Sequence, residues 1–190
     1  MREELSLQTI DFAELSRLSD ELDAEKPYFE LIDGLEVQKV SPQSHHSQLQ
    51  LELGIILKAW VAGQGVVGTE WRFWVIPTGE RRTSLVPDVA LISNDRYLAL
   101  DDDAKRMPPF APDIAVEIRS PDDRQRNIQR KIELYLAHGS RLVLDVDPTE
   151  QTIIAHDHFL SRTFKEDQRF EHPEVPGLSF QLRALFESVR

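Results

Sequence analysis

Apolar residues recur at steps of three or four through most of residues 9–25, at Ile10, Phe12, Leu15, Leu18 and Leu22. This predicts an amphipathic first helix with Asp11 placed to cap it. Two short runs, residues 28–32 and 35–40, then flank Asp33-Gly34, the strongest hairpin signal in the chain. Ser44 stands where it can cap a second helix starting near His45. Leu49, Leu53, Ile56, Leu57 and Trp60 form its apolar stripe, and it stops near Gly63 and Gly65.

Further on, residues 66–67, 71–76 and 85–92 read as strands, with a polar turn across residues 77–82. Residues 101–112 read as a loop on composition, and 114–118 as a buried strand. Pro121-Asp122-Asp123 opens a helix signal that Ile128, Ile132, Leu134, Tyr135 and Leu136 carry to about His138, with Gly139 as its stop. Residues 142–146 form another apolar run, so 113–147 has the strand, helix, strand order of a crossover unit. Hairpin-like strands at 152–156 and 162–164 and a short helix after Phe180-Gln181-Leu182 complete the chain. The expected fold is α/β, a mixed central sheet flanked by helices behind an N-terminal helix and hairpin. One domain over residues 1–190 is expected, because no repeat or linker divides the chain.

Composition narrows the chemistry. The chain has no Cys, which removes disulfides, thiolate zinc sites and thiol nucleophiles together and leaves oxygen and His ligands for any metal. No apolar stretch approaches the roughly 18 residues a membrane span needs, and Met1-Arg2-Glu3-Glu4-Leu5-Ser6 lacks a signal-peptide core, so a cytoplasmic protein with no membrane partner is expected. A net charge of -11 argues against nucleic-acid binding by a general basic surface. It does not exclude a nuclease, since divalent cations supply local positive charge and Arg124, Arg126, Arg130 and Lys131 cluster.

Two acids interrupt runs that otherwise favour burial: Asp88 in Leu85-Val86-Pro87-Asp88-Val89-Ala90 and Glu117 in Ile114-Ala115-Val116-Glu117-Ile118. A carboxylate in such a run needs a positive partner, either a metal ion or a Lys or Arg. If the two strands pair, the acids can share one hard cation, Mg²⁺ or Mn²⁺, with solvent and a main-chain carbonyl near Ile118. Lys131 on the following helix would then orient the attacking water or stabilise developing charge. The competing explanation is structural: Asp88 caps a turn after Pro87, and Glu117 pairs with Arg119 or Lys131.

The order of these features resembles a known family. Tyr28-Phe29-Glu30-Leu31-Ile32-Asp33-Gly34, Ser41-Pro42 with His46, Pro87-Asp88-Val89, Pro112-Asp113-Ile114-Ala115-Val116-Glu117-Ile118-Arg119-Ser120-Pro121, Lys131 with Tyr135, Gly139, and Asp145-Val146-Asp147-Pro148 look like the Uma-two family, over residues 28–186 or so. That family is placed in the PD-(D/E)XK restriction-endonuclease-like superfamily. The resemblance implies a restriction-endonuclease-like core and metal-dependent DNA cleavage, with Asp88 and Glu117 as metal ligands. Arg119 occupies the superfamily's usual lysine position, and Arg cannot act as a base. The resemblance moves the catalytic lysine to Lys131 and leaves Arg119 as an auxiliary phosphate or carboxylate partner. Glu30 and His46 are further auxiliary candidates, and Tyr135 shares a helix face with Lys131. Homodimers are common in that superfamily, and exposed edge strands give one a place to form.

Other clusters carry less. Glu52 beside the apolar stripe reads as a surface acid rather than a completing ligand. His156 and His158 share a strand face by alternation but lack a third ligand, and Trp60, Trp71 and Trp74 read as core. A non-catalytic nuclease-like binding module is the main alternative function, favoured by the acidic surface and by Arg119. A metal-independent structural protein is the third.

Overall fold

The computed structural model describes residues 11–23, 29–39, 43–120, 125–165 and 167–189. Ile10, Tyr28, Ser41-Pro42, Pro121-Asp122-Asp123 and Arg124 lie outside the described residues. In chain order the elements are α1 Phe12–Asp23, β1 Phe29–Ile32, β2 Leu35–Gln38, α2 Ser44–Val61, β3 Gly65–Thr69, β4 Phe73–Ile76, β5 Thr83–Leu85, β6 Val89–Ser93, α3 Asn94–Tyr97, α4 Asp102–Arg106, β7 Ile114–Ile118, α5 Gln125–Ala137, β8 Leu142–Asp147, β9 Thr152–His156, β10 Ser161–Lys165, β11 Arg169–Glu171, β12 Ser179–Gln181 and α6 Leu182–Glu187.

The central sheet has six strands in the order β10-β9-β8-β7-β6-β3. It is mixed: β7 and β8 run parallel, joined through α5, and their other neighbours are antiparallel. One face packs Val89, Leu91, Ile114, Val116, Leu142 and Leu144 against Leu49, Leu53 and Leu57 of α2 and Leu182 and Leu185 of α6. The opposite face packs Ala90, Ile92, Ala115 and Val143 against Ile128, Ile132 and Tyr135 of α5. A four-stranded sheet, β2-β1-β5-β4, carries the hairpin. Asp33 and Gly34 both take positive φ there, and a Cβ on Gly34 would come within 2.7 Å of the Glu80 carbonyl oxygen, so the turn requires the glycine.

Some boundaries differ from the sequence expectation for identifiable reasons. Residues 85–92 are not one strand. Pro87 has no N–H to give a ladder, so the chain leaves one sheet at Leu85 and enters the other at Val89, with Asp88 at the crossing. Gln43 rather than Ser44 is the N-cap of α2, and the left-handed residue ending it is Ala62, ahead of Gly63. Within the expected loop, Asp101 accepts from the Ala104 N–H at 2.9 Å and starts α4, so an acid-rich run read as loop is a capped helix. The short α3, β11 and β12 have no counterpart in the sequence reading.

Candidate metal and catalytic centre

The β6 and β7 register sets Val89 opposite Val116 in antiparallel pairing, which brings the next residues, Asp88 and Glu117, side by side at the end of the pair. The Asp88 N–H donates to the Val116 carbonyl at 3.0 Å, and its own carbonyl accepts from Gln50 Nε2 at 3.0 Å. Asp88 Oδ2 accepts from the Ile118 N–H at 2.6 Å and lies 3.2 Å from His46 Nε2. Oδ1 lies 2.9 Å from Lys39 Nζ, without the alignment of a hydrogen bond. Burial pushes the Asp88 carboxyl up, but Lys39 and His46 together hold it well below the usual carboxylate range. His46 moves the opposite way: burial lowers it, and Asp88 more than offsets this and raises it.

Glu117 has a different shell. Lys131 Nζ donates to Oε2 at 2.5 Å, and the Tyr135 hydroxyl donates to Oε1 at 2.7 Å. Lys131 and Tyr135 are one turn apart on α5, on the stripe that also buries Ile128 and Ile132, so folding delivers an ammonium and a phenol together to the sheet end. Lys131 Nζ also lies 3.1 Å from Oε2 of Glu30, whose Oε1 accepts from the Val86 N–H at 2.7 Å. Burial pushes Glu117 up to about 7 against the pull of Lys131. Burial would lower Lys131, but Glu117 and Glu30 raise it above the ordinary lysine value, so it stays charged at neutral pH.

Glu30, Lys39, His46, Asp88, Glu117, Arg119 and Lys131 line one cleft of about 470 Å³, and Tyr135 is fully buried beneath Glu117. Arg119 turns away from the acid pair: Nε and Nη2 grip Asp145 at 2.8 and 2.7 Å, and Nη1 reaches Asp147 at 3.2 Å. Its partner is therefore a carboxylate of the neighbouring strand. Glu52 is half-buried on α2 and does not line the cleft. His158 lies in the turn after β9, so it does not share a strand face with His156, which touches Ser161 at 2.7 Å instead. The indole N–H groups of Trp60, Trp71 and Trp74 donate to Pro176, Arg106 and Ser19.

Three site residues escaped the sequence reading. Lys39 follows β2, and its Nζ meets Glu70 Oε2 at 2.9 Å and the Val86 carbonyl at 2.7 Å. Gln50, one turn after His46 on α2, donates to Glu70 Oε1 at 3.1 Å. A signal for Lys39 existed: Glu30 pairs with Val37, so a residue two beyond Val37 falls on the Glu30 face of the hairpin.

The donor set fits a hard cation. The acids offer oxygen ligands, Asp88 Oδ1 is a buried acceptor without a hydrogen bond, and four carboxylates (Glu30, Glu70, Asp88, Glu117) face only two ammonium groups. Among the described residues no group of three or more His, Asp or Glu side chains could hold a metal ion, so the fit rests on the Asp88 and Glu117 carboxylates with solvent completing the shell.

The Arg119 clamp makes a testable contribution to stability. Burial raises the Asp145 carboxyl, whereas His156 and Arg119 bring it below its ordinary 3.8. A depressed carboxyl stabilises the fold above its unfolded pKa, and that contribution disappears as pH falls through the folded value. Asp145→Asn is expected to cost about 2 kcal/mol at pH 7 in urea unfolding. The gap from wild type should close as pH falls below 3.8.

A model of the Uma2 family, described as putative restriction endonuclease, matches residues 12–183. Among solved structures, the chain is similar to a putative nuclease belonging to DUF820 from Anabaena variabilis ATCC 29413. The two share 25% identity and a TM-score of 0.80 over 96% of this chain and 100% of that one. No curated protein matches.

Proposed function

The chain belongs to the Uma2 family of restriction-endonuclease-like proteins, and from that premise we propose that it is a Mg²⁺- or Mn²⁺-dependent endonuclease hydrolysing phosphodiester bonds in DNA through a PD-(D/E)XK-type site. The observation that carries the reading is the convergence of Asp88, Glu117 and Lys131 at one end of the β6/β7 pair in an open cleft. Asp88 and Glu117 would hold the cation. When bound, it would polarise a phosphoryl oxygen and lower the pKa of the attacking water.

The side chains supply the remaining steps. Lys131 stays charged, so it acts as a donor and not as a base. One of its N–H groups donates to Glu117 and its charge pairs with Glu30 at 3.1 Å, which fixes the ammonium so that a remaining N–H can meet the attacking water or a phosphoryl oxygen. Tyr135 holds the far oxygen of Glu117. His46 lines the cleft with Nε2 3.2 Å from Asp88 Oδ2 and Nδ1 buried, so its part is to hold the Asp88 carboxylate in place. Arg119 has its guanidinium committed to Asp145 and Asp147, so its part is to tie the end of β7 to β8.

The ion pairs already on both acids favour a second reading, a nuclease fold used as a binding module. Incubation of DNA with purified protein separates the two. The catalytic reading expects cleavage with Mg²⁺ or Mn²⁺ that EDTA abolishes, and the module reading expects intact DNA under both conditions.

A further inference from the structure

We propose that Lys39 sets the cation affinity of this centre by standing on the Asp88 oxygen that a divalent cation would take and withdrawing onto Glu70 when one arrives. The proposal rests on the metal-dependent reading above. Lys39 Nζ has three acceptors, Glu70 Oε2, the Val86 carbonyl and Asp88 Oδ1, at 2.9, 2.7 and 2.9 Å. Only the contact with Asp88 lacks hydrogen-bond alignment, so it is the one held by charge alone. Leaving Asp88 therefore costs Lys39 none of its hydrogen bonds.

Glu70 is built to receive the ammonium. It follows β3 with φ +51, a left-handed backbone that a non-glycine residue keeps only where its surroundings impose it. Gln50 fixes Glu70 Oε1 at 3.1 Å and bonds the Asp88 carbonyl at 3.0 Å, which ties the receiving carboxylate to the ligand's own backbone. In charge terms Lys39 is a monovalent stand-in within a cluster that has two more carboxylates than ammonium groups. A divalent cation on Oδ1 is attracted by that excess but repels an ammonium at contact distance. Affinity is thus set by how readily Lys39 yields the oxygen.

Calorimetry with Mn²⁺ on the full chain tests this without DNA. Lys39→Met is expected to bind Mn²⁺ at least about tenfold more tightly than wild type, because the competing charge is gone. Lys39→Gln, which keeps donors for Val86 and Glu70, should show the same gain and serves if Lys39→Met does not fold by circular dichroism. Arg119→Gln removes a positive charge lining the same cleft without touching Asp88, and its smaller gain measures the general field effect. Gains no larger than that of Arg119→Gln, unchanged affinity, or weaker binding in both Lys39 variants would overturn the proposal while leaving the cation site standing. No Mn²⁺ binding by wild type or either Lys39 variant would overturn the proposal together with the metal-dependent reading.

Discussion

Lys131→Met is expected to destabilise the protein by about 3–5 kcal/mol at pH 8, the cost of breaking a buried ion pair by removing one partner. The methionine can fill the volume but leaves Glu117 and Glu30 facing one another, with side chains 9% and 4% exposed. Burial and the facing Glu30 both raise the Glu117 carboxyl, and the substitution removes the Lys131 charge that opposes them. A carboxyl raised in the folded state stabilises the protein at pH below its unfolded pKa and loses that contribution as pH rises through the folded value. The deficit should therefore be largest at pH 8 and shrink toward pH 5, read from urea midpoints at the two pH values. Adding Glu30→Gln should recover part of the loss by removing one of the opposed charges, and strict additivity of the two substitutions would contradict the shared site.

Asp88→Asn is expected to lower DNA cleavage by at least about 10³-fold, roughly 4 kcal/mol in the transition state, through loss of a charged ligand. The substitution is nearly isosteric. The introduced amide oxygen can still accept from the Ile118 N–H, and Lys39 keeps Glu70 and the Val86 carbonyl, so the fold persists. Loss of cleavage with an unchanged circular dichroism spectrum separates this role from a structural one. The structural explanation of Asp88, a turn cap satisfied by ion pairs, expects instead a drop in stability with little change in rate.

Much of this was legible because its signals are local. Asp33-Gly34 announces the hairpin, and the 3.6-residue period places Lys131 and Tyr135 on the buried stripe of α5 with Ile128 and Ile132. Asp88 and Glu117 were visible because a charge inside a β-branched run is costly wherever the strand lies. What stayed hidden depends on tertiary register. Hydrophobic pattern alone does not reveal that residues 85–92 change sheets, although Pro87 marks the break. Arg119 finds Asp145 because β7 and β8 pair in parallel with Glu117 beside Asp145, a relation no local window contains. Glu70 and Gln50 come from β3's exit and the middle of α2, and they join the centre only when both meet the backbone of Asp88.

The most direct test is the time course of circular double-stranded DNA incubated with wild type, Asp88→Asn and Glu117→Gln in Mg²⁺ or Mn²⁺, with an EDTA control. The acid pair as cation site predicts nicked or linear products from wild type only, and none in EDTA. Cation-dependent cleavage that survives both substitutions at the wild-type rate would contradict it.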